Sequence, residues 1–113
     1  MHELSLCMEL IRVIEDQARR QPFRRVRAVR LAVGVLAGVE VEALRFGFAV
    51  AAQGTLAEGA VLEIERPSGQ AVCLDCGAVV EVRDREEPCP RCESYLLRVR
   101  GGTELRVVEL EVE

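Results

Sequence analysis

The chain has 113 residues, of which half are hydrophobic and 30% are charged, a balance typical of a small globular protein with one modest core. Its formal net charge of −4 argues against a protein that mainly coats nucleic acid, because phosphate neutralisation requires surplus cations. Neither an apolar run of about 18 residues nor a basic stretch leading into an apolar one is present, so we expect no transmembrane helix, no secretory signal and a cytoplasmic location.

The first predicted element is a helix over residues 3–19. Its apolar residues recur at intervals of three and four, and charged residues occupy the opposite face. Pro22 follows at a distance that suits the end of a helix. Cys7 lies on the apolar face, which indicates a buried small hydrophobic residue. That face comprises Leu4, Cys7, Leu10, Ile11, Ile14 and Ala18.

A strand over residues 25–35 and a second helix over residues 40–52 follow. In the strand, the inward-facing phase shifts by one residue between Ala28 and Val29, which predicts a β-bulge. The helix has one apolar face, and Gly54 lies where a C-terminal cap is expected.

Two further strands are predicted over residues 60–66 and 104–112. The segment between them, residues 67–102, is richer in proline and glycine and holds four of the five cysteines. We therefore predict an α+β fold, in which a small three-stranded sheet packs with two helices. Residues 1–66 and 103–113 would form this domain, and residues 67–102 would be inserted as a zinc-ribbon-like module.

The most specific motif is a doubled Cys-x-x-Cys, Cys73-Leu-Asp-Cys76 and Cys89-Pro-Arg-Cys92, with twelve residues between the pairs. Zinc prefers a tetrahedron of soft donors, and two tight turns each supply two thiolates. Gly77 follows the first pair and provides the positive φ that such a turn needs. A module of about 30 residues buries too little apolar area to fold alone, so the metal would contribute to its folding. Four protein ligands close the site, which indicates structural zinc.

Other interpretations of these cysteines stay open at this point. Disulfides or redox-active Cys-x-x-Cys pairs are disfavoured in a reducing cytoplasm. A rubredoxin-like iron site usually has an aromatic surround, whereas Tyr95 is the one aromatic residue nearby. A zinc ribbon could also bind nucleic acid, although the acidic net charge and the scarcity of aromatic residues count against it. One basic group keeps that function in consideration: Arg19, Arg20, Arg24, Arg25, Arg27 and Arg30.

The N-terminus carries the single histidine of the chain, His2. A histidine near a terminus is most often a solvated surface residue. Here the α-amine of Met1, the amide nitrogens that follow it and the imidazole could together enclose a metal in a square plane, a geometry that Ni(II) and Cu(II) prefer with nitrogen donors. The amides of His2 and Glu3 are available because the first N–H groups of a helix lack intrahelical acceptors.

Several motifs, spread from one end of the chain to the other, together resemble one protein family. They are the opening Met1-His2-Glu3-Leu4-Ser5, the central Leu44-Arg45-Phe46-Gly47-Phe48 leading to Gly54-Thr55, and the two cysteine pairs. In this combination the sequence resembles the HypA/HybF hydrogenase nickel-incorporation proteins. One departure is Glu93, which follows the last cysteine where zinc ribbons commonly have glycine. We expect strain in that turn but no loss of a ligand.

The resemblance implies a nickel metallochaperone, which is a binding protein and not an enzyme. It implies that His2 is the essential nickel ligand, that the Met1 amine and nearby backbone nitrogens complete the plane, and that Glu3 is important beside them. Zinc at the four cysteines would be structural, and Ni(II) would be cargo. The implied partners are the GTPase accessory protein HypB and the large subunit of NiFe-hydrogenase; some family members also serve urease. Separately, an exposed sheet edge would allow strand exchange in a homodimer.

Overall fold

The computed structural model describes residues 2–113, and within this range the chain forms two helices and six strands. Each helix and strand predicted from the sequence is present, with ends within about two residues of the predicted ones. The α+β fold class is therefore confirmed. In chain order the elements are α1 (His2–Arg20), β1 (Val26–Val33), α2 (Val41–Ala52), β2 (Val61–Glu65), β3 (Gly69–Cys73), β4 (Val79–Val82), β5 (Leu97–Gly101) and β6 (Leu105–Val112).

The chain forms two compact units. The domain limits expected from the sequence stay a prediction, and these units differ from them mainly in Ala32–Gly38, which groups with the second unit. The reason lies in the backbone: Val35 N–H donates to Pro67 O (2.9 Å) and Leu36 N–H donates to Gly102 O (2.7 Å). The first unit comprises the described residues up to Leu31, Val39–Ile64 and Val107–Glu113, and the second comprises Ala32–Gly38 and Glu65–Arg106.

In the first unit, α1 and α2 pack against each other through the apolar faces that the sequence indicated. The helix α2 begins at its N-cap residue Glu40, and Gly54, with a φ of 76°, follows its last turn as expected for a C-terminal cap. Among the helices of residues 2–113, neither is long and apolar enough to cross a membrane. The buried residues are Cys7, Leu10, Ile11 and Ile14 of α1, and Leu44, Gly47, Phe48 and Ala52 of α2.

A three-stranded sheet with the order β2-β1-β6 completes the secondary structure of this part of the chain. The central strand β1 buries both Val26 and Val29, although strict alternation would place them on opposite faces. The β-bulge expected between Ala28 and Val29 stays a prediction. On the face of β1 opposite Val29, Arg30 pairs with Glu63 of β2 (3.5 Å) and with Glu109 of β6 (3.0 Å). One guanidinium therefore bridges both neighbouring strands.

The second unit contains a separate three-stranded sheet with the order β4-β3-β5, in which β3 pairs antiparallel with both neighbours. At its centre, Ala71 lies opposite Val80 on one side and Val99 on the other. Its buried core is small and includes two cysteines. A core of this size contributes little to folding unless a metal or disulfide supplements it. The core consists of Leu36, Ala71, Cys73, Val80, Val82 and Cys89.

Three glycines bring separate segments of the second unit into direct backbone contact. A Cβ on Gly34 would overlap the carbonyl group of Gly102. A Cβ on Gly102 would lie 2.5 Å from Cα of Gly69, and one on Gly69 would lie 2.5 Å from the carbonyl oxygen of Val82. Since each obstacle is backbone, a larger residue at any of these positions would force the segments apart.

Two turns of the second unit each contain a residue with positive φ. Gly77, after the first cysteine pair, has a φ of 75°, and Glu93, after the second, has a φ of 66°. Among residues 2–113, Glu93 is the only residue other than glycine that has a positive φ. The left-handed conformation costs a non-glycine residue about 1–2 kcal/mol because its Cβ approaches the following carbonyl oxygen. The strain expected at Glu93 is therefore present in the backbone.

We predict opposite effects of substitution in these two matched turns. Glu93→Gly should stabilise the second unit by about 1 kcal/mol, because it removes the left-handed strain. Gly77→Ala should destabilise it by a similar amount, about 1 kcal/mol, because no atom lies near the added Cβ and only the backbone penalty acts. Amide hydrogen exchange over residues 69–101 of the metal-loaded protein measures both effects. Destabilisation by Glu93→Gly would contradict this account of the turn.

Candidate metal centres

The four cysteines of the doubled motif converge in the second unit. Their Sγ atoms all lie within 4.8 Å of one another, with Cys73 and Cys92 at 3.5 Å and Cys76 and Cys89 at 3.9 Å. A tetrahedral zinc ion with bonds of about 2.3 Å separates its sulfurs by about 3.8 Å. All four are free thiols. The predicted cluster is therefore present, with a spacing that suits one metal ion.

The first cysteine pair is held by a tight turn at the end of β3. Cys73 is the last residue of the strand, and its carbonyl oxygen accepts from Gly77 N–H (2.9 Å). The backbone N–H of Cys76 points back to Cys73 Sγ (3.5 Å). The turn therefore presents two sulfurs on one side and directs an N–H dipole at one of them, which stabilises a thiolate.

The second pair repeats this arrangement on an irregular segment. The carbonyl oxygen of Cys89 accepts from Glu93 N–H (2.8 Å), and the N–H of Arg91 points to Cys89 Sγ (3.4 Å). Cys89 N–H donates to Ser94 O (2.7 Å), which closes the segment on itself. Glu93 thus occupies the position that Gly77 has in the first turn, and the departure from glycine costs strain without displacing a cysteine.

The cluster has a buried side and an exposed side. Cys73 and Cys89 are 0% exposed and belong to the core of the second unit, whereas Cys76 and Cys92 lie at the surface. Two of the four candidate ligands are therefore also core residues. Binding a metal here would join the interior of the unit to its surface loops.

Two of the four thiols, those of Cys73 and Cys92, differ widely in pKa. The Cys76 N–H lowers the pKa of the Cys73 thiol to about 7, so one thiolate forms readily. The pKa of Cys92 is raised to about 12: the Ser94 N–H acts to lower it, but the neighbouring sulfurs of Cys73, Cys76 and Cys89, together with burial, outweigh it. Four adjacent thiolates repel one another, so complete deprotonation requires a cation at their centre.

The donor set suits zinc as a structural ion. Four soft sulfur donors in a tetrahedron leave no open position for water or substrate. Rubredoxin-like iron sites are surrounded by aromatic residues. Tyr95 is the aromatic residue near this cluster, and because it is 74% exposed it does not surround the sulfurs. The free thiols and their convergence on one point favour a metal over two separate redox pairs.

The residues predicted to bind nickel begin helix α1. His2 is its first residue, with a side chain 59% exposed, and its Nδ1 lies 3.5 Å from Glu3 Oε2. Met1, the third predicted contributor, lies outside the described residues. Within residues 2–113, the four cysteines form the only group of three or more side chains placed to hold a metal. A site at His2 would therefore need backbone nitrogens as well.

Glu3 has a second contact, which the sequence did not indicate. Its side chain is 14% exposed, and its Oε2 accepts a hydrogen bond from the backbone N–H of Glu40 (3.2 Å). This N–H lowers the pKa of the Glu3 carboxyl, assisted by the backbone N–H of Glu3 itself and by the His2 imidazole when that is protonated. The carboxylate is thus ionised at neutral pH and lies between His2 and the start of α2.

Cys7 takes no part in either site. It is 0% exposed, its Sγ–H donates to the carbonyl oxygen of Leu44 (3.2 Å), and burial raises the pKa of the thiol to about 11. It is therefore a neutral core residue, as predicted from its place on the apolar face of α1.

Most of the six arginines singled out in the sequence, which lie near the end of α1 and in or just before β1, form ion pairs with carboxylates. Arg19 and Arg20 both pair with Asp16, at 3.4 and 3.2 Å. Arg27 pairs with Glu113 (3.5 Å), and Arg30 forms the two cross-strand pairs described above. Most of these guanidinium groups already have a carboxylate partner, which reduces their availability for phosphates.

Comparison with known proteins gives consistent results. The family model described as "Hydrogenase/urease nickel incorporation, metallochaperone, hypA" matches residues 1–112. The chain is 57% identical to "Hydrogenase maturation factor HypA" of Alkalilimnicola ehrlichii and 53% identical to that of Azotobacter chroococcum, over 100% of both chains in each case.

Solved structures show the same fold. The solution structure of the "Ni metallochaperone HypA from Helicobacter pylori" superposes with a TM-score of 0.70 at 24% identity, covering 99% of this chain and 97% of that one. The cysteine cluster, the helix that opens on His2 and Glu3 and the full-length relatives together lead to one conclusion: the chain belongs to the HypA family of hydrogenase maturation metallochaperones.

Proposed function

We propose that this protein binds Ni(II) at its N-terminus and delivers it during NiFe-hydrogenase maturation, while zinc at Cys73, Cys76, Cys89 and Cys92 has a structural role. The observation that carries the nickel proposal is the pair His2 and Glu3 at the exposed start of α1, with Nδ1 and Oε2 3.5 Å apart. Membership of the HypA family supports nickel as the metal.

The nickel ligands would be the Met1 amine, the His2 imidazole and the backbone nitrogens of His2 and Glu3. The first N–H groups of α1 have no acceptor one turn earlier, so a metal can displace their protons without breaking the helix ladder. His2 Nδ1 and the amide nitrogen of the same residue can close a small chelate ring. Such a set of nitrogen donors favours square-planar Ni(II).

Exposure supports different roles for the two metals. The zinc ion would bind to two core residues, Cys73 and Cys89, which are 0% exposed, so its release would require the second unit to open. The nickel ion would bind at His2, whose side chain is 59% exposed, so a recipient protein could approach it directly. Retained zinc and exchangeable nickel are the properties that a metallochaperone needs.

The recipient and helper proteins follow from the family. Relatives 57% and 53% identical to this chain carry the description "Hydrogenase maturation factor HypA". We propose the GTPase accessory protein HypB and the hydrogenase large subunit as partners, in the cytoplasm, with no turnover by the protein itself. A homodimer formed by strand exchange stays a prediction: β2 and β6 are the outer strands of their sheet.

Loss of one zinc ligand should unfold the second unit selectively. Structural zinc contributes on the order of 10 kcal/mol to the folding of such modules. Cys73→Ser should therefore abolish zinc retention and expose residues 69–101 to hydrogen exchange, while α1 and α2 stay protected. Cys7→Ser is the matched control, because it removes a buried thiol outside the cluster and should leave the zinc content at one ion per chain.

Metal analysis and hydrogen exchange on the two variants give a clear outcome. Retention of one zinc by Cys73→Ser, with residues 69–101 still protected, would show that the unit folds without the tetrahedral site. Equal zinc loss in Cys7→Ser would show that the fifth cysteine contributes to the metal centre after all.

The nickel site should depend on the α-amine as much as on the imidazole. His2→Ala removes the side-chain donor, and one extra glycine before Met1 converts the amine into an amide and shifts the chelate by one residue. Each change should abolish nickel binding measured by calorimetric titration. A glycine added after Glu113 is the control and should not alter the affinity. A protein extended at its N-terminus that still binds nickel with native affinity would refute the role of the amine.

A further inference from the structure

The pairing of β3 with β5 continues past the end of β3 into the first cysteine turn. Cys73, the last residue of β3, lies opposite Leu97. One residue later, Leu74 N–H donates to the carbonyl oxygen of Leu96 (2.8 Å). Leu74 belongs to the first Cys-x-x-Cys turn, and Leu96 follows the second. Backbone pairing therefore joins the two segments that carry the cysteine pairs.

A side-chain hydrogen bond forms the next link between these segments. Ser94 Oγ donates to Asp75 Oδ2 (2.5 Å) and accepts from Leu96 N–H (3.0 Å). A hydroxyl group has one hydrogen and two lone pairs, so it can make both bonds at once. The carboxylate of the first cysteine turn is thus bound to the residue whose carbonyl closes the second, where it accepts from Cys89 N–H.

The contact of Asp75 is not the usual one for an aspartate in a turn. Such a residue commonly accepts from backbone N–H groups a few positions along its own turn. Asp84 of the same unit has that arrangement, since its Oδ1 accepts from Glu86 N–H (2.8 Å). Asp75 instead accepts from a residue 19 positions away. The contact therefore joins two turns and does not merely close one.

The two residues lie beside the exposed cysteines of the cluster. Asp75 directly precedes Cys76, and Ser94 follows Cys92 by two positions, whereas the other two thiols are buried. A chelator reaches the exposed sulfurs first, so a bound zinc ion would be lost by displacement of Cys76 or Cys92. Either displacement moves one turn away from the other, which the hydrogen bond between Asp75 and Ser94 opposes.

We propose that Asp75 and Ser94 are positioning residues of the zinc site: their hydrogen bond joins the two cysteine turns and slows the release of zinc. This inference rests on the structural zinc proposed above and deepens it. Neither side chain binds the metal, since the four sulfurs complete a tetrahedron. The pair acts through the turns, as groups hydrogen-bonded around a metal site orient its ligands.

The rate of zinc transfer to excess pyridylazoresorcinol, a coloured chelator, measures this role in the full-length protein. Ser94→Ala removes the donor and Asp75→Ala removes the acceptor, and each should release zinc about tenfold faster than the native protein. Asp84→Ala is the matched control, because it removes an exposed carboxylate of the same unit that accepts within its own turn. This control should release zinc at the native rate.

A double substitution separates a direct interaction from two independent effects. Both single substitutions break the same hydrogen bond, so Asp75→Ala/Ser94→Ala should release zinc only about as fast as either of them. Independent effects would instead multiply to about a hundredfold. An acceleration of that size in the double variant would overturn the pairing of the two residues.

Two conservative variants distinguish the hydrogen bond from the charge of Asp75. Ser94→Thr keeps the hydroxyl and should release zinc at close to the native rate. Asp75→Asn keeps an acceptor oxygen but no charge. Because a neutral acceptor forms a bond of about half the strength, this variant should release zinc about threefold faster than the native protein. If Asp75→Asn released zinc as fast as Asp75→Ala, charge alone would account for the effect and the proposed bond would be overturned.

The outcomes separate this inference from the proposed function. If the purified native protein contains no zinc, the proposal of structural zinc fails and this inference fails with it. If the native protein contains zinc, and Ser94→Ala and Asp75→Ala release it at the native rate, only the role of this pair is overturned. Should the alanine variants be purified without zinc, Asp75→Asn is compared with Asp84→Asn, and equal release rates would overturn the role.

Discussion

The second unit depends on one feature, the convergence of four cysteine sulfurs to within 4.8 Å of one another. The core cluster of the unit has six buried apolar residues, and two of them are cysteines of the candidate metal centre, so the sulfur donors and the core cannot be separated. Removing protons from all four thiols concentrates negative charge that only a cation can balance. We therefore expect metal binding to accompany the folding of this unit, and the sheet order β4-β3-β5 brings both turns to one point.

The cysteine cluster and the proposed nickel site would bind their metals by opposite physical means. The cysteine site is closed by four side chains and anchored in a core, which suits an ion that stays with the protein. The site proposed at His2 and Glu3 relies on a helix terminus, where backbone nitrogens are free because the helix has only begun. Glu3 contacts the start of α2, where its Oε2 accepts from Glu40 N–H. In the proposed function, a recipient protein would approach the nickel ion from the exposed side chain of His2.

Local patterns in the sequence predicted both helices, the three strands of the first sheet and the cysteine cluster because each depends on spacing along the chain. The strained turn at Glu93 was likewise predictable, since one residue departs from a familiar turn. The hydrogen bond from Glu40 to Glu3 was not, because it joins residues 37 positions apart through the packing of two helices. The grouping of residues 32–38 with the second unit also depends on tertiary backbone contacts. Glycine inside a helix was the available signal for a close helix contact, since a Cβ on Gly47 would lie 3.2 Å from Cys7 Sγ.

The contact among Gly34, Gly69 and Gly102 determines which substitutions these three positions tolerate. At these positions even a methyl group meets backbone atoms, so every other amino acid should be rejected regardless of its charge or polarity. In a survey of all substitutions they would be as intolerant as the cysteines, although they bind no metal. Gly38 and Gly54 have open space around the missing Cβ and restrict only the backbone angle, so asparagine should be accepted there. Intolerance at a glycine of this chain therefore marks crowding, whereas selective acceptance of asparagine marks a turn.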